Sequence, residues 1–250
     1  MVDRPAEPDM RAQIVAHATR LFAAHGFDGT ALQEIADAVG VTKPAVLHHF
    51  PSKEHIRAGV LDAIVAHWNE ALPRLLLASH TAHDRFEAVF GELLSFFGAH
   101  PDRARVVLRE VLDRPAQIRE ILAGPIRPWL DALAAGIRAG QRQRRYRDDV
   151  DADAYVAHML QLVLAASAAV SVGASVIPAA GGLDGAARYR RELARIARAS
   201  LLLDSYVDVM KGRDDARTRK GRSPWPASSA TTKTSSSTST KRSTGPRSPR

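Results

Sequence analysis

The sequence predicts an all-α fold, with a small N-terminal three-helix domain followed by a larger helical bundle. Apolar residues recur at three- and four-residue spacing through most of the chain before Lys211. Proline or glycine interrupts these stripes at intervals that suit short connections between packed helices. Alanine is abundant and β-branched runs are scarce. There is no cysteine, which excludes a disulfide framework, a thiolate metal site and a cysteine nucleophile. At 250 residues the chain is long enough to bury a real core.

The first eight residues read as a flexible arm, and a domain of residues 9–55 follows. Ile14, Ala18, Leu21 and Phe22 form the apolar stripe of its first helix, ended by Gly26-Phe27. Thr30 is placed to cap a second helix, with Gln33 at the reciprocal spacing of a capping box. Leu32, Ile35, Ala36 and Val39 lie on one face of that helix, and Gly40 stands where its end needs positive φ. Thr42 can cap a third helix after the Gly40-Val41 turn. Val46 and Phe50 would seat this helix on the others, leaving Lys43, Pro44, Ala45, Leu47 and His48 outward. Small Ala36 and Gly40, four residues apart, suit the close approach of a helix-turn-helix. The third helix then has the form of one that lies in a DNA major groove.

At these residues the chain resembles the TetR family of transcriptional repressors. It carries Ile35-Ala36, Gly40-Val41-Thr42, His49-Phe50 and Ser52-Lys53 in the order and spacing of that family's DNA-binding domain. Leu47 departs from the pattern: the family usually has there a tyrosine that touches a backbone phosphate. The resemblance covers about residues 9 to 68. It implies that His49 contacts a phosphate or base edge and that His48 faces the groove. Lys53 and the backbone amides at Thr30 and Thr42 would fix the register on DNA.

Charge is unevenly distributed. The chain has a net charge of +8. Residues 211–250 hold eleven Lys/Arg against two Asp, while the preceding 210 residues hold 24 basic and 25 acidic side chains. DNA binding by the neutral part therefore depends on where particular groups point rather than on net charge. The segment 211–250 is rich in Ser, Thr and Pro and is expected to be disordered. It is either a solvated tail or a source of nonspecific attraction to phosphates.

Residues 56–210 read as a ligand-binding and dimerisation bundle. One helix runs from about Lys53 to Leu72, with Pro73 disturbing it; another runs from about His83 to Ala99. Pro101 opens a third and Pro115 closes it. Ile118 to Leu122 make a short turn, and a further helix with Trp129, Leu133 and Ile137 ends near Gly140.

Residues 148–153 read DDVDAD, which invites a calcium loop. The required glycine is Ala154 and the required glutamate is Leu160, so the pattern fails. Asp151 or Asp153 instead caps the next helix. No charged residue occurs between Ala154 and Leu183. That length could span a bilayer, but His158, Gln161, Gly173, Pro178 and the absence of flanking basic residues oppose a membrane span. A helix buried on every side accounts for the stretch, one face against its own bundle and one against a second subunit. The last helix is expected from about Leu183 to Met210, with Tyr189, Leu193, Ile196, Ala197 and Leu201 on its apolar side. The family resemblance implies a homodimer joined by helices of about 154–178 and 183–210.

His48, His49 and His55 lack an acid to complete a metal set, and neither a metal nor a cofactor is expected. His158 and Gln161 either bond within the bundle or face a cavity and meet a ligand. Trp68, Phe86, Phe90, Phe97 and Trp129 are candidate walls for that cavity. The expected protein is a cytoplasmic, ligand-responsive, dimeric repressor of a near-palindromic operator. The alternative is an architectural protein that coats DNA with the same motif and the basic tail. No paired carboxylates, metal ligands or Gly-rich phosphate loop point to an enzyme.

Overall fold

The computed structural model describes residues 9–78 and 82–203. Its helices are α1 (Met10–His25), α2 (Leu32–Val39), α3 (Lys43–His49), α4 (Lys53–Ala78), α5 (Ala82–Ala99) and α6 (Pro101–Asp113), then α7 (Pro115–Ala123), α8 (Arg127–Arg142), α9 (Ala152–Ala168), α10 (Val170–Ser175) and α11 (Gly185–Leu201). Among the described residues there is no β-strand, only two isolated bridges, Tyr146 with Leu202 and Ala180 with Leu183. The described residues belong to one compact unit. The expected boundary at 55/56 falls inside α4, which runs unbroken from the helix-turn-helix into the bundle. The expected N-terminal arm and basic tail lie outside the described residues.

The N-terminal core joins Ile14, Ala18 and Phe22 of α1 to Ile35 and Ala36 of α2, Val46 and Phe50 at α3, and Ile56 and Val60 of α4. Val106 of α6 completes it, so the reading domain shares its core with the bundle. A second core gathers Trp68, Phe90, Phe97, Val163, Leu164, Leu193 and Ala197 from α4, α5, α9 and α11.

The bundle departs from the sequence expectation at three places. Pro73 does not end α4. A proline inside a helix costs about 3 kcal/mol, and buried Ala71 and Leu72 before it and half-buried Leu75 and Leu76 after it keep the helix seated. Pro115 does not merely close α6; it stands first in α7, where its missing N–H is no loss. The uncharged stretch is not one helix: α9 ends at Ala168, α10 is a short separate turn, and Gly181 (φ +61°) and Gly182 (φ +76°) turn the chain before α11. Asp151 caps α9 by accepting from the amides of Asp153 and Ala154, both at 3.0 Å. Asp184 caps α11 at the Ala187 amide, 2.7 Å. Residues 204–210 of the expected last helix lie outside the described residues. No helix among the described residues is long and apolar enough to cross a membrane.

Candidate DNA-reading head and effector cavity

The turn between α2 and α3 forms where the residues require it. Gly40 is left-handed (φ +83°, ψ +29°), and its amide and that of Val41 both donate to Ala36 O at 3.0 Å. Thr42 Oγ1 accepts from the Ala45 amide at 3.4 Å, and Pro44 sits in the first turn of α3. Val46 and Phe50 are buried, which fixes the opposite face outward. Thr42, Lys43, Pro44 and His48 are exposed on that face, with Ala45, Leu47 and His49 half-exposed beside them.

Two expected contacts of the head are reassigned. Thr30 does not cap α2; Ala31 holds that position, and Glu34 rather than Gln33 accepts from the Ala31 amide, at 2.7 Å. The Thr30 side chain is 1% exposed and its Oγ1 donates to Gly26 O, while its amide donates to Phe27 O. Neither group of Thr30 is available to a phosphate. Gln33 is exposed and donates to Asp37 along the same helix, at 2.7 Å. Lys53 turns inward: its Nζ donates to Phe27 O at 2.8 Å and Thr30 O at 2.9 Å and lies 4.4 Å from the Phe27 ring centre. It clasps the loop between α1 and α2.

Sequence reasoning missed Arg11. Its guanidinium lies 4.2 Å over the Phe50 ring and donates to His49 O at 3.2 Å, tying α1 to the end of α3. His48 and His49 meet edge to face at 5.3 Å, while His55 Nδ1 pairs with Ser52 Oγ at 3.0 Å. Among the described residues no group of three His, Asp or Glu side chains could hold a metal ion.

In the bundle the structure brings all five expected aromatics to one cavity of about 500 Å³. Trp68, Phe86, Phe90, Phe97 and Trp129 line it together with aliphatic residues of α4, α5, α7, α8 and α9. The volume falls within the roughly 300–1,000 Å³ of small-molecule sites. Its lining is almost wholly apolar, and its polar atoms are largely satisfied within the chain. Trp129 Nε1 donates to Asn69 Oδ1 at 2.8 Å and the Tyr155 hydroxyl donates to Ala197 O at 2.6 Å. Burial pushes the Tyr155 phenol up to about 12, so it stays neutral at ordinary pH.

His158 and Gln161 are not in this cavity. Both are exposed on the outer face of α9, in an uncharged stripe with Ala154, Ala157, Leu162 and Ala165. Within a single chain α9 is buried on one face only, and the opposite face, which the sequence reading assigned to a second subunit, is exposed.

The head and the cavity share α7. Its Ile118, Ile121 and Leu122 wall the cavity. On the same helix Gln117 accepts from Arg57 Nη1 of α4 at 2.6 Å, and Arg57 also pairs with buried Glu110 of α6 at 2.7 Å. Arg114, between α6 and α7, lies 4.7 Å over the Phe27 ring, which Lys53 and Arg57 also approach. The sequence marks Phe27 only as the end of α1, because its three cationic partners are all distant along the chain.

Residues 14–60, which hold most of α1, all of α2 and α3 and the start of α4, match the family described as bacterial regulatory proteins, tetR family. The helix-turn-helix domain is that of the TetR family. The chain is a helix-turn-helix transcriptional regulator, and its relatives are regulators rather than enzymes. The HTH-type transcriptional regulator EthR of Mycolicibacterium smegmatis is 27% identical over 153 residues, covering 60% of this chain and 69% of the relative. The fold is shared with the ketosteroid transcriptional regulator KstR2 of Mycobacterium tuberculosis (TM-score 0.65, 16% identity, 79% of this chain and 97% of that one). It is also shared with a transcriptional regulator from Saccharomonospora viridis solved with choline (TM-score 0.61, 23% identity, 79% and 100%).

Proposed function

We propose that this TetR-family protein is a ligand-responsive repressor that binds a near-palindromic operator as a homodimer. Support comes from one juxtaposition: a helix-turn-helix and an apolar cavity lie in one compact unit, with α7 touching both. Thr42, Lys43, Pro44, Ala45, Leu47, His48 and His49 would face DNA, the exposed ones nearest the base edges. The bare uncharged face of α9, with His158 and Gln161 on it, would meet the partner subunit. An effector in the cavity would favour a state whose two heads no longer match the half-site spacing, through different affinities for the two states.

The test is selection from random duplexes by the full chain, with sedimentation of the free protein and its DNA complex. A recovered near-palindrome bound by a dimer is the expected result. Binding with no preferred sequence and steep salt dependence would overturn it in favour of the architectural reading. Nothing in the relatives, all transcriptional regulators, favours that alternative.

A further inference from the structure

The cavity carries information about the chemical class of its occupant. Among the described residues that line it, Arg85 is the only charged side chain. It is exposed, as is Leu77, 85% exposed and also in the lining, so both stand at the solvent end of the cavity. The deeper lining, including Trp68, Phe90, Phe97 and Leu164, is buried and uncharged. The site is thus apolar in its depth and cationic at one rim.

Helix stability does not account for an arginine at this place. Arg85 lies in the first turn of α5, where the helix's own positive end opposes a cation. The described acids of α5 do not explain it either. Glu87 is held by Arg198, with contacts of 2.5 and 2.6 Å, and Glu92 faces His67 at 3.0 Å. A guanidinium supplies planar, paired donors suited to a carboxylate or phosphate. The adjacent helix end adds to the same positive field.

Resting on the cavity's role as the effector site, we infer that its ligand is an anionic amphiphile. An aliphatic or ring-bearing body fills the apolar depth, and an anionic head group meets Arg85 at the rim. Charge at the rim then selects among molecules that fit the interior equally well.

Three dodecyl probes that differ only in head group test this on the full chain: dodecanoate, dodecanol and dodecyltrimethylammonium, each below its aggregation threshold. Trp68 and Trp129 line the cavity, so quenching of tryptophan fluorescence reports occupancy. Dodecanoate is expected to bind about five- to tenfold tighter than dodecanol, with the ammonium probe weakest. Arg85→Gln should remove the preference for dodecanoate and leave dodecanol affinity unchanged, which also shows that the variant is folded. Equal binding of dodecanoate and dodecanol overturns the anion inference while leaving the cavity as the effector site. Tightest binding of the ammonium probe overturns it in favour of an aromatic cation cage. If none of the three quenches, the cavity reading itself falls. A dodecyl phosphate arm, run beside dodecanoate, separates a phosphate head from a carboxylate one.

Discussion

Arg57 of α4 and Gln117 of α7 are joined by a 2.6 Å hydrogen bond, and the residue after Gln117, Ile118, walls the cavity. The contact places one end of the reading head's supporting helix against the helix an effector would press. Gln117→Leu should leave operator affinity without effector within about twofold and weaken effector-driven release by about fivefold, a coupling of roughly 1 kcal/mol. Titration of operator binding with and without effector measures it; unchanged release would show that α7 does not transmit. Glu110→Ala is a harsher change. It leaves Arg57 half-buried without its carboxylate and should cost about 3 kcal/mol in stability.

Lys53 is a structural residue in this geometry. Lys53→Met keeps the apolar stem and removes both bonds to the carbonyls of Phe27 and Thr30. Unfolding without DNA should show a loss of about 2 kcal/mol. The salt dependence of operator binding should keep its slope. A slope reduced by about one phosphate contact, with stability intact, would return Lys53 to the DNA interface.

Leu47 is half-exposed on α3, where a tyrosine would bring a hydroxyl toward the phosphate backbone. Leu47→Tyr is expected to raise operator affinity about three- to tenfold, with no change in the preferred sequence. Affinity that falls, or a shifted consensus, would place this position against base edges instead.

Gly136 of α8 lines the cavity, and a Cβ built on it would meet nothing within 4 Å. Gly136→Leu therefore projects into open space while improving helix propensity by about 0.8 kcal/mol. The variant should fold at least as stably, bind operator, and lose its response to effector. A retained response would locate the effector elsewhere.

Tyr155 links the cavity wall to α11 through its 2.6 Å bond to Ala197 O. Its folded pKa is raised to about 12 by burial, above the ordinary value of about 10. The neutral phenol therefore contributes stability that is present below about pH 10 and lost as pH rises toward 12. That contribution is of order 2 kcal/mol. Tyr155→Phe should flatten the fall in unfolding free energy between pH 10 and 12, and an unchanged slope would contradict the assignment.

Local rules were legible in the chain wherever cause and effect lie within one turn. The Gly40 reversal, the Thr42 cap, the Asp151 cap and the buried stripe of Ile35, Ala36, Val46 and Phe50 follow from φ preference, short-range acceptors and helical period. The same period placed five aromatics on faces that the fold directs to one cavity. Capping failed at Thr30 by one residue, because burial of its side chain against Gly26 competes with capping and wins.

Tertiary structure alone decided the relations that span the chain. Lys53 bonds carbonyls 23 and 26 residues away, Arg57 meets partners 53 and 60 residues on, and His158 and Gln161 face outward because the cavity lies on the other side of α9. Periodicity states which face of a helix is apolar but not what packs against it. A long cationic side chain has many reachable acceptors, and only the assembled neighbours choose among them.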